Sequence, residues 1–124
     1  MRVLYVEDNR INAILFEETL RMHGGVELRI AEDGAEALDV VKDWTPDLLV
    51  LDAHLPDMTG YEVLTALRRQ PALVGTPAFM CSADASASDQ QSARDAGFVG
   101  YWAKPIHIPT VRADLDRLFP PDKG

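Results

Sequence analysis

Leu48-Leu49-Val50-Leu51-Asp52-Ala53-His54-Leu55-Pro56-Asp57-Met58-Thr59-Gly60 opens on four apolar residues and then turns acidic and loop-like. A short continuous apolar run suits a strand buried on both faces, as in a parallel sheet. Asp52 falls at the carboxyl end of that strand. Pro56 and Gly60 punctuate the loop that follows. Beyond it, Tyr61, Val63, Leu64 and Leu67 recur at helical spacing, with Pro71 past the expected end.

The same unit repeats outward in both directions. Val3–Val6 and Ala78–Cys81 are further continuous apolar runs. Val26–Ala31 is apolar at alternate positions, which suits a strand nearer an edge. Val99–Trp102 is a fifth, short strand. Between them lie helical patterns. Ile11, Ile14, Leu15 and Leu20 mark a first helix ended by His23-Gly24-Gly25, with Asp8 or Asn9 as cap. Ala37, Leu38 and Val41 mark a second, with Trp44 packing near its end. A weak, polar fourth helix is capped by Ser86 or Ser88, runs to Ala96 and closes at Gly97. Val111, Leu115 and Leu118 form the stripe of a last helix, stopped by Pro120-Pro121. Strands alternating with helices predict an α/β fold with right-handed crossovers and a parallel sheet. No repeat, low-complexity stretch or linker interrupts it, so residues 1–124 read as a single domain.

Composition narrows the function. Lys and Arg number 12 against 20 Asp and Glu, a net charge of −8. Nucleic-acid binding needs clustered positive charge, so that class is set aside. No run of apolar residues is long enough to span a membrane. No signal peptide is seen at Met1-Arg2-Val3-Leu4, and the single cysteine, Cys81, reads as a core residue. Cytoplasmic location is the expectation.

An open α/β sheet binds its ligands outside the carboxyl ends of the strands. Reading those positions in order gives Glu7 and Asp8 after the first strand, Asp52 after the third, Ser82 after the fourth, and Lys104-Pro105 after the fifth. Three carboxylates in close quarters repel one another and call for a cation. Their hard oxygen ligands suit Mg²⁺. A carboxylate beside such an ion can act as nucleophile on phosphorus and form an aspartyl phosphate. A hydroxyl and an ammonium are suitable groups to stabilise the charge on the phosphoryl in flight.

With these residues in this order the chain resembles the response-regulator receiver domains (CheY-like) of two-component signalling. The matching elements are Glu7-Asp8, Asp52 within Asp52–Gly60, Ser82-Ala83, and Lys104-Pro105 with Tyr101 upstream. The intervals from 8 to 52, 52 to 82 and 82 to 104 fit the loop lengths of that family. The resemblance runs from Arg2 to about Phe119. It implies a flavodoxin-like (βα)5 three-layer sandwich with a five-stranded parallel sheet of order 2-1-3-4-5. It implies phosphorelay signalling in which Asp52 accepts a phosphoryl group from phosphohistidine of a histidine kinase or phosphotransfer protein. Asp8 and Asp52 are implied to bind Mg²⁺ directly, Glu7 largely through water, and His54 through its backbone carbonyl. Ser82 and Lys104 are implied to bind phosphoryl oxygens, and Ser82 and Tyr101 to form a switch pair. Pro105 is implied to follow a cis peptide bond. A downstream protein is implied to read the face made by the fourth helix, the fifth strand and the fifth helix, in a monomer or weak dimer. The receiver is implied to catalyse its own phosphorylation and dephosphorylation without being a conventional enzyme.

The remaining residues are given plainer roles. Asp57 reads as a solvated loop acid or helix-start residue. The His54 side chain, His23 and His107 read as surface groups. Trp102, beside Tyr101, is expected to be exposed or half-exposed, a candidate partner contact. The polar fourth helix suggests a pliable output face. Two rival functions stand beside the signalling switch. One is a small aspartyl-phosphate phosphatase of the haloacid-dehalogenase type, which would need a second acid where His54 stands. The other is an unphosphorylated interaction module. Nucleotide binding through a glycine-rich loop is set aside, since neither G-x-x-x-x-G-K-[ST] nor G-x-G-x-x-G occurs. The chain reads as a stand-alone regulator or as the receiver of a hybrid sensor kinase.

Overall fold

The structure is a computed structural model and describes residues 1–84 and 86–119, with His23 described by its backbone alone. The expected stop at Pro120-Pro121 and the surface position of the His23 side chain lie outside these.

Among the described residues five strands and five α-helices alternate: β1 (Arg2–Val6), α1 (Arg10–His23), β2 (Glu27–Ala31), α2 (Gly34–Val40), β3 (Leu48–Asp52), α3 (Gly60–Leu67), β4 (Ala78–Ser82), α4 (Ala87–Asp95), β5 (Gly100–Ala103) and α5 (Ile108–Leu118). A short 3-10 turn, Pro71–Leu73, follows α3. The strands form one sheet of order β2-β1-β3-β4-β5, every pair parallel. This is the flavodoxin-like arrangement, and its order reverses between β1 and β3.

The continuous apolar runs are explained by burial on two sides. In β1, Leu4 and Val6 face the α2–α4 layer, while Val3 and Tyr5 face α1 and α5. In β3, Leu49 and Leu51 take the first side and Leu48 and Val50 the second. In β4, Met80 and Cys81 divide likewise. Because side chains alternate along a strand, a central strand covered on both faces has no position left for a polar residue until it ends. Asp52 and Ser82 are the first polar residues of β3 and β4, and each is the last residue of its strand.

Three expectations are corrected by the packing. Trp102 is buried, at 3% exposure. Alternation on β5 turns Tyr101 toward the α4 side and Trp102 to the opposite side. There its ring stacks on Phe79 at 4.2 Å between centroids, and its indole N–H donates to Asp114 of α5 at 2.8 Å. It is therefore not an exposed partner contact. Secondly, Ile11 and Ile14 of α1 are 77% and 57% exposed. The helix turns Ala13, Phe16 and Leu20 inward instead, an arc of equal helical spacing. Thirdly, Val99 lies outside β5 and is exposed, and the strand begins at Gly100.

Trp44 does pack beyond the end of α2. Its indole N–H donates to Glu27 at 2.8 Å, and the Arg29 guanidinium lies 4.8 Å from its ring centroid. Among the described residues no helix is long and apolar enough to cross a membrane.

Candidate phosphoacceptor site

The carboxyl ends of β1, β3, β4 and β5 bring the rim residues to one place. Glu7 and Asp8 follow β1 directly, and Asn9 then caps α1, its side chain accepting from the Ile11 and Asn12 N–H groups. One carboxylate oxygen from each of Glu7, Asp8 and Asp52 lies within 4.8 Å of the others. Glu7 and Asp52 are buried, and Asp8 is exposed at the mouth. Lys104 reaches in from the end of β5, its ammonium 2.6 Å from Glu7 Oε1 and 3.1 Å from Asp52 Oδ2. The Lys104–Pro105 peptide bond is cis.

Glu7 is the most deeply buried of the three acids. A buried glutamate is costly unless partnered. Its Oε1 takes Lys104, with the Tyr5 hydroxyl 3.4 Å away. Its Oε2 is buried with no hydrogen-bond partner. Burial, then the adjoining Asp52 carboxylate, push the Glu7 carboxyl up to about 7, against the pull of Lys104. For Lys104 burial works to lower the value, but the hydrogen bond to Glu7 and the charge of Asp52 outweigh it and raise it. Lys104 therefore stays charged. An unsatisfied buried oxygen beside two more carboxylates is the donor set a hard cation would complete.

The loop after Asp52 is closed on itself. The His54 N–H points to Asp52 Oδ1 at 3.4 Å, Leu55 N–H donates to the Met58 carbonyl at 3.0 Å, and Gly60 N–H donates to the Ala53 carbonyl at 3.0 Å. Gly60 has to be glycine, since a Cβ there would stand 2.6 Å from the Asp52 carbonyl oxygen. Thr59 and Glu62 form a reciprocal capping box that starts α3, a signature readable as T-x-x-E. The residue two past Asp52 is His54, with its side chain exposed, so no second acid stands at that position.

On the other side of the rim, the buried Ser82 Oγ accepts the Asp84 N–H at 3.1 Å. The Tyr101 hydroxyl donates to the Asp84 carbonyl. A cavity of about 110 Å³ lies between Tyr101, Ser82, Met80, Thr59 and His54. Cys81 is fully buried, and burial holds its thiol above the usual range, so it is not a reactive group here. His107 is exposed, with its Nδ1 2.7 Å from the Thr110 hydroxyl.

Two residues that sequence reasoning undervalued contribute. Tyr5 lies in a strand run that reads only as core, and nothing in the run marks its hydroxyl. Asp57 is exposed in its loop, as expected, but it serves a helix start far along the chain. Its two oxygens accept the N–H groups of Gly34 and Ala35 at 2.9 and 3.0 Å, which hold its carboxyl below the usual range, Gly34 contributing most.

The raised Glu7 has a measurable consequence. In cation-free protein the protonated form is favoured by folding, since the folded value of about 7 lies above the ordinary glutamate range. That contribution is complete below the unfolded value and is lost as pH rises through about 7. A divalent cation needs the ionised form. Mg²⁺ affinity should therefore fall about tenfold per pH unit below the Glu7 value and level off above it. Calorimetric unfolding should show a larger Mg²⁺-induced rise in Tm at pH 8 than at pH 6. Equal rises at both would contradict the assignment.

The profile of the family described as "Response regulator receiver domain" matches residues 3–116. The polar-differentiation response regulator DivK of Brucella anthropi is 35% identical over 107 residues, 86% of each chain. The chemotaxis response regulator CheY4 of Vibrio cholerae superposes with a TM-score of 0.86 at 30% identity, covering 95% of this chain and 98% of its own. The receiver domain of a sensor histidine kinase from Pseudomonas aeruginosa, with a magnesium ion coordinated in its active-site cleft, superposes with a TM-score of 0.82 at 28% identity, covering 94% of each. Receiver domains are signalling switches that bind Mg²⁺ in an acidic pocket, and an acidic cluster stands at the sheet's rim here. A doubly covered parallel sheet of this order, acids gathered at its switch point and the matched profile all lead to one conclusion: the chain belongs to the response regulator receiver domain family.

Proposed function

We propose that this chain is a phosphorelay receiver in which Asp52 takes a phosphoryl group from the phosphohistidine of a kinase or phosphotransfer protein. The observation that carries this reading is the placement of Asp52. It is buried among Glu7 and Asp8, with the Lys104 ammonium 3.1 Å away. Asp52 is the nucleophile. Its oxygen bonds to phosphorus as the phosphorus–nitrogen bond of the donor breaks, and the histidine nitrogen leaves with the bonding pair. Lys104 is already aimed at the acceptor carboxylate and offsets charge on the phosphoryl oxygens.

The fit to Mg²⁺ rests on the crowded oxygens and the unpartnered Glu7 Oε2. Asp8, Asp52 and the His54 carbonyl would hold the ion, with Glu7 acting largely through water. When bound it supplies positive charge against the phosphoryl oxygens. Ser82 gives up the Asp84 amide and turns toward the phosphoryl group. Tyr101 then leaves the Asp84 carbonyl for the cavity behind Ser82. This shifts a two-state equilibrium and changes the α4-β5-α5 face that a downstream protein reads. Only Ala93 of α4 is buried, which supports a face of low local stability. Ile11 and Ile14, exposed beside Asp8, give the donor protein an apolar surface next to the acceptor.

Water later hydrolyses the acyl phosphate, so the domain promotes both its phosphorylation and its dephosphorylation. The chain works as one unit, a monomer or weak dimer, in a reducing cytoplasm that suits the unpaired, buried Cys81. Intact-mass analysis after incubation with acetyl phosphate tests the reading. One phosphoryl group is expected with Mg²⁺ and none with a chelator. Labelling that ignores Mg²⁺, or no labelling at all, would sink it.

A further inference from the structure

α2 is only seven residues long. A helix that short is marginal alone, and its first amides lack intrahelical partners. Its own cap, Asp33, accepts the Glu36 N–H at 2.8 Å, and the Asp33 carbonyl takes Ala37 N–H at 3.1 Å. The two amides left over, Gly34 and Ala35, both donate to Asp57. Asp57 belongs to the loop between the acceptor and α3. The next residue, Met58, occupies the space over Gly34, where a Cβ would stand 2.5 Å from its Sδ. The acceptor loop thus grips the first turn of α2 by a carboxylate and a thioether together.

In that loop Leu55 and Met58 pack against the core on the α2–α4 side, while the tip between them stands clear of it. Pro56 has no N–H, and Pro56 and Asp57 are both exposed. The Leu55–Met58 and Gly60–Ala53 hydrogen bonds close the loop on itself but do not tie it to α2. Two charge-assisted bonds to a helix N-terminus do.

We propose that Asp57 is a positioning residue. By clamping the acceptor loop to α2 it sets the place of Asp52 and of the His54 carbonyl for cation binding, and it couples the order of α2 to the state of the site. The cation part rests on the receiver reading above. Coupling of this kind is reciprocal, so a cation at the rim protects the Gly34 and Ala35 amides.

Two variants test it, Asp57→Ala and the milder Asp57→Asn, which keeps one accepting oxygen and stays folded if the first does not. Without metal, amide exchange followed by NMR should quicken at Gly34 and Ala35 and also at Leu55 and Gly60. Mg²⁺ affinity, read by calorimetric titration, should fall about tenfold in Asp57→Ala and less in Asp57→Asn, the usual scale for groups that orient metal ligands. Faster exchange at Gly34 and Ala35 alone would make Asp57 an ordinary helix cap and overturn the proposal. An unchanged Mg²⁺ affinity would overturn it too. Should the unaltered protein bind no Mg²⁺, the receiver reading fails, and exchange at Leu55 and Gly60 still decides whether Asp57 holds the loop.

Discussion

Asp52→Asn is expected to take up no phosphoryl group from acetyl phosphate or from a phosphohistidine donor, while keeping its fold. An amide has no anionic oxygen to attack phosphorus, so the covalent step loses its nucleophile and not merely its rate. The side chains are nearly isosteric, and the buried position of Asp52 at the end of β3 is kept. Two electrostatic changes oppose each other. Lys104 loses the partner at 3.1 Å, and Glu7 loses the neighbouring carboxylate that helps to raise it. Stability near neutral pH should therefore change little, within about 1 kcal/mol, as is usual when attraction and repulsion at one site are removed together. Mg²⁺ affinity should fall, because two carboxylates replace three. Intact mass and calorimetric Tm on the same preparation read both effects. A phosphorylated Asp52→Asn protein would move the acceptor elsewhere.

Much of this site is readable in the sequence because the fold forces it. A strand covered on both faces has no polar position until it ends, so the first polar residue after each run marks the rim. Glu7, Asp52 and Ser82 are found that way, and Lys104 by its place after the short fifth strand. What stays hidden depends on which way an element is rotated or on contacts far along the chain. α1 carries apolar residues on two arcs, Ile11 and Ile14 on one, Ala13, Phe16 and Leu20 on the other. Spacing is equal on both, and the small Ala13 gives no hint that its arc is the buried one. Trp102 is misplaced because a short edge strand reads as half-covered, whereas α5 lies over it and Asp114 takes its indole N–H. Asp57 looks like any loop acid. Its partners lie 23 and 22 residues upstream, and no local pattern joins them.

Lys104→Met should separate two duties that one ammonium performs, because their signs differ. In the proposed transfer its charge would offset the phosphoryl oxygens in the transition state, and removing one such donor typically costs about 100- to 1000-fold in rate. Acetyl phosphate labelling at saturating Mg²⁺ should slow on that scale. The same charge also occupies the carboxylates a cation wants, lying 2.6 Å from Glu7 and 3.1 Å from Asp52. Without it the acids repel one another unopposed, so Mg²⁺ should bind more tightly to the variant. Stability without metal should drop, since breaking a buried ion pair leaves charge uncompensated, at a cost of about 3 kcal/mol or more. Glu7, already raised to about 7 with Lys104 present, can relieve part of this by taking a proton. Removing Lys104 also removes a group that holds Glu7 down, so in the variant Glu7 is raised further; relief is fullest at low pH and fades as pH rises, so the loss in Tm should grow from pH 6 to pH 8. Mg²⁺ should restore most of it there. A variant that labels within a few-fold of the unaltered protein, or binds Mg²⁺ more weakly, would show that Lys104 serves the rim as scaffold and not through its charge.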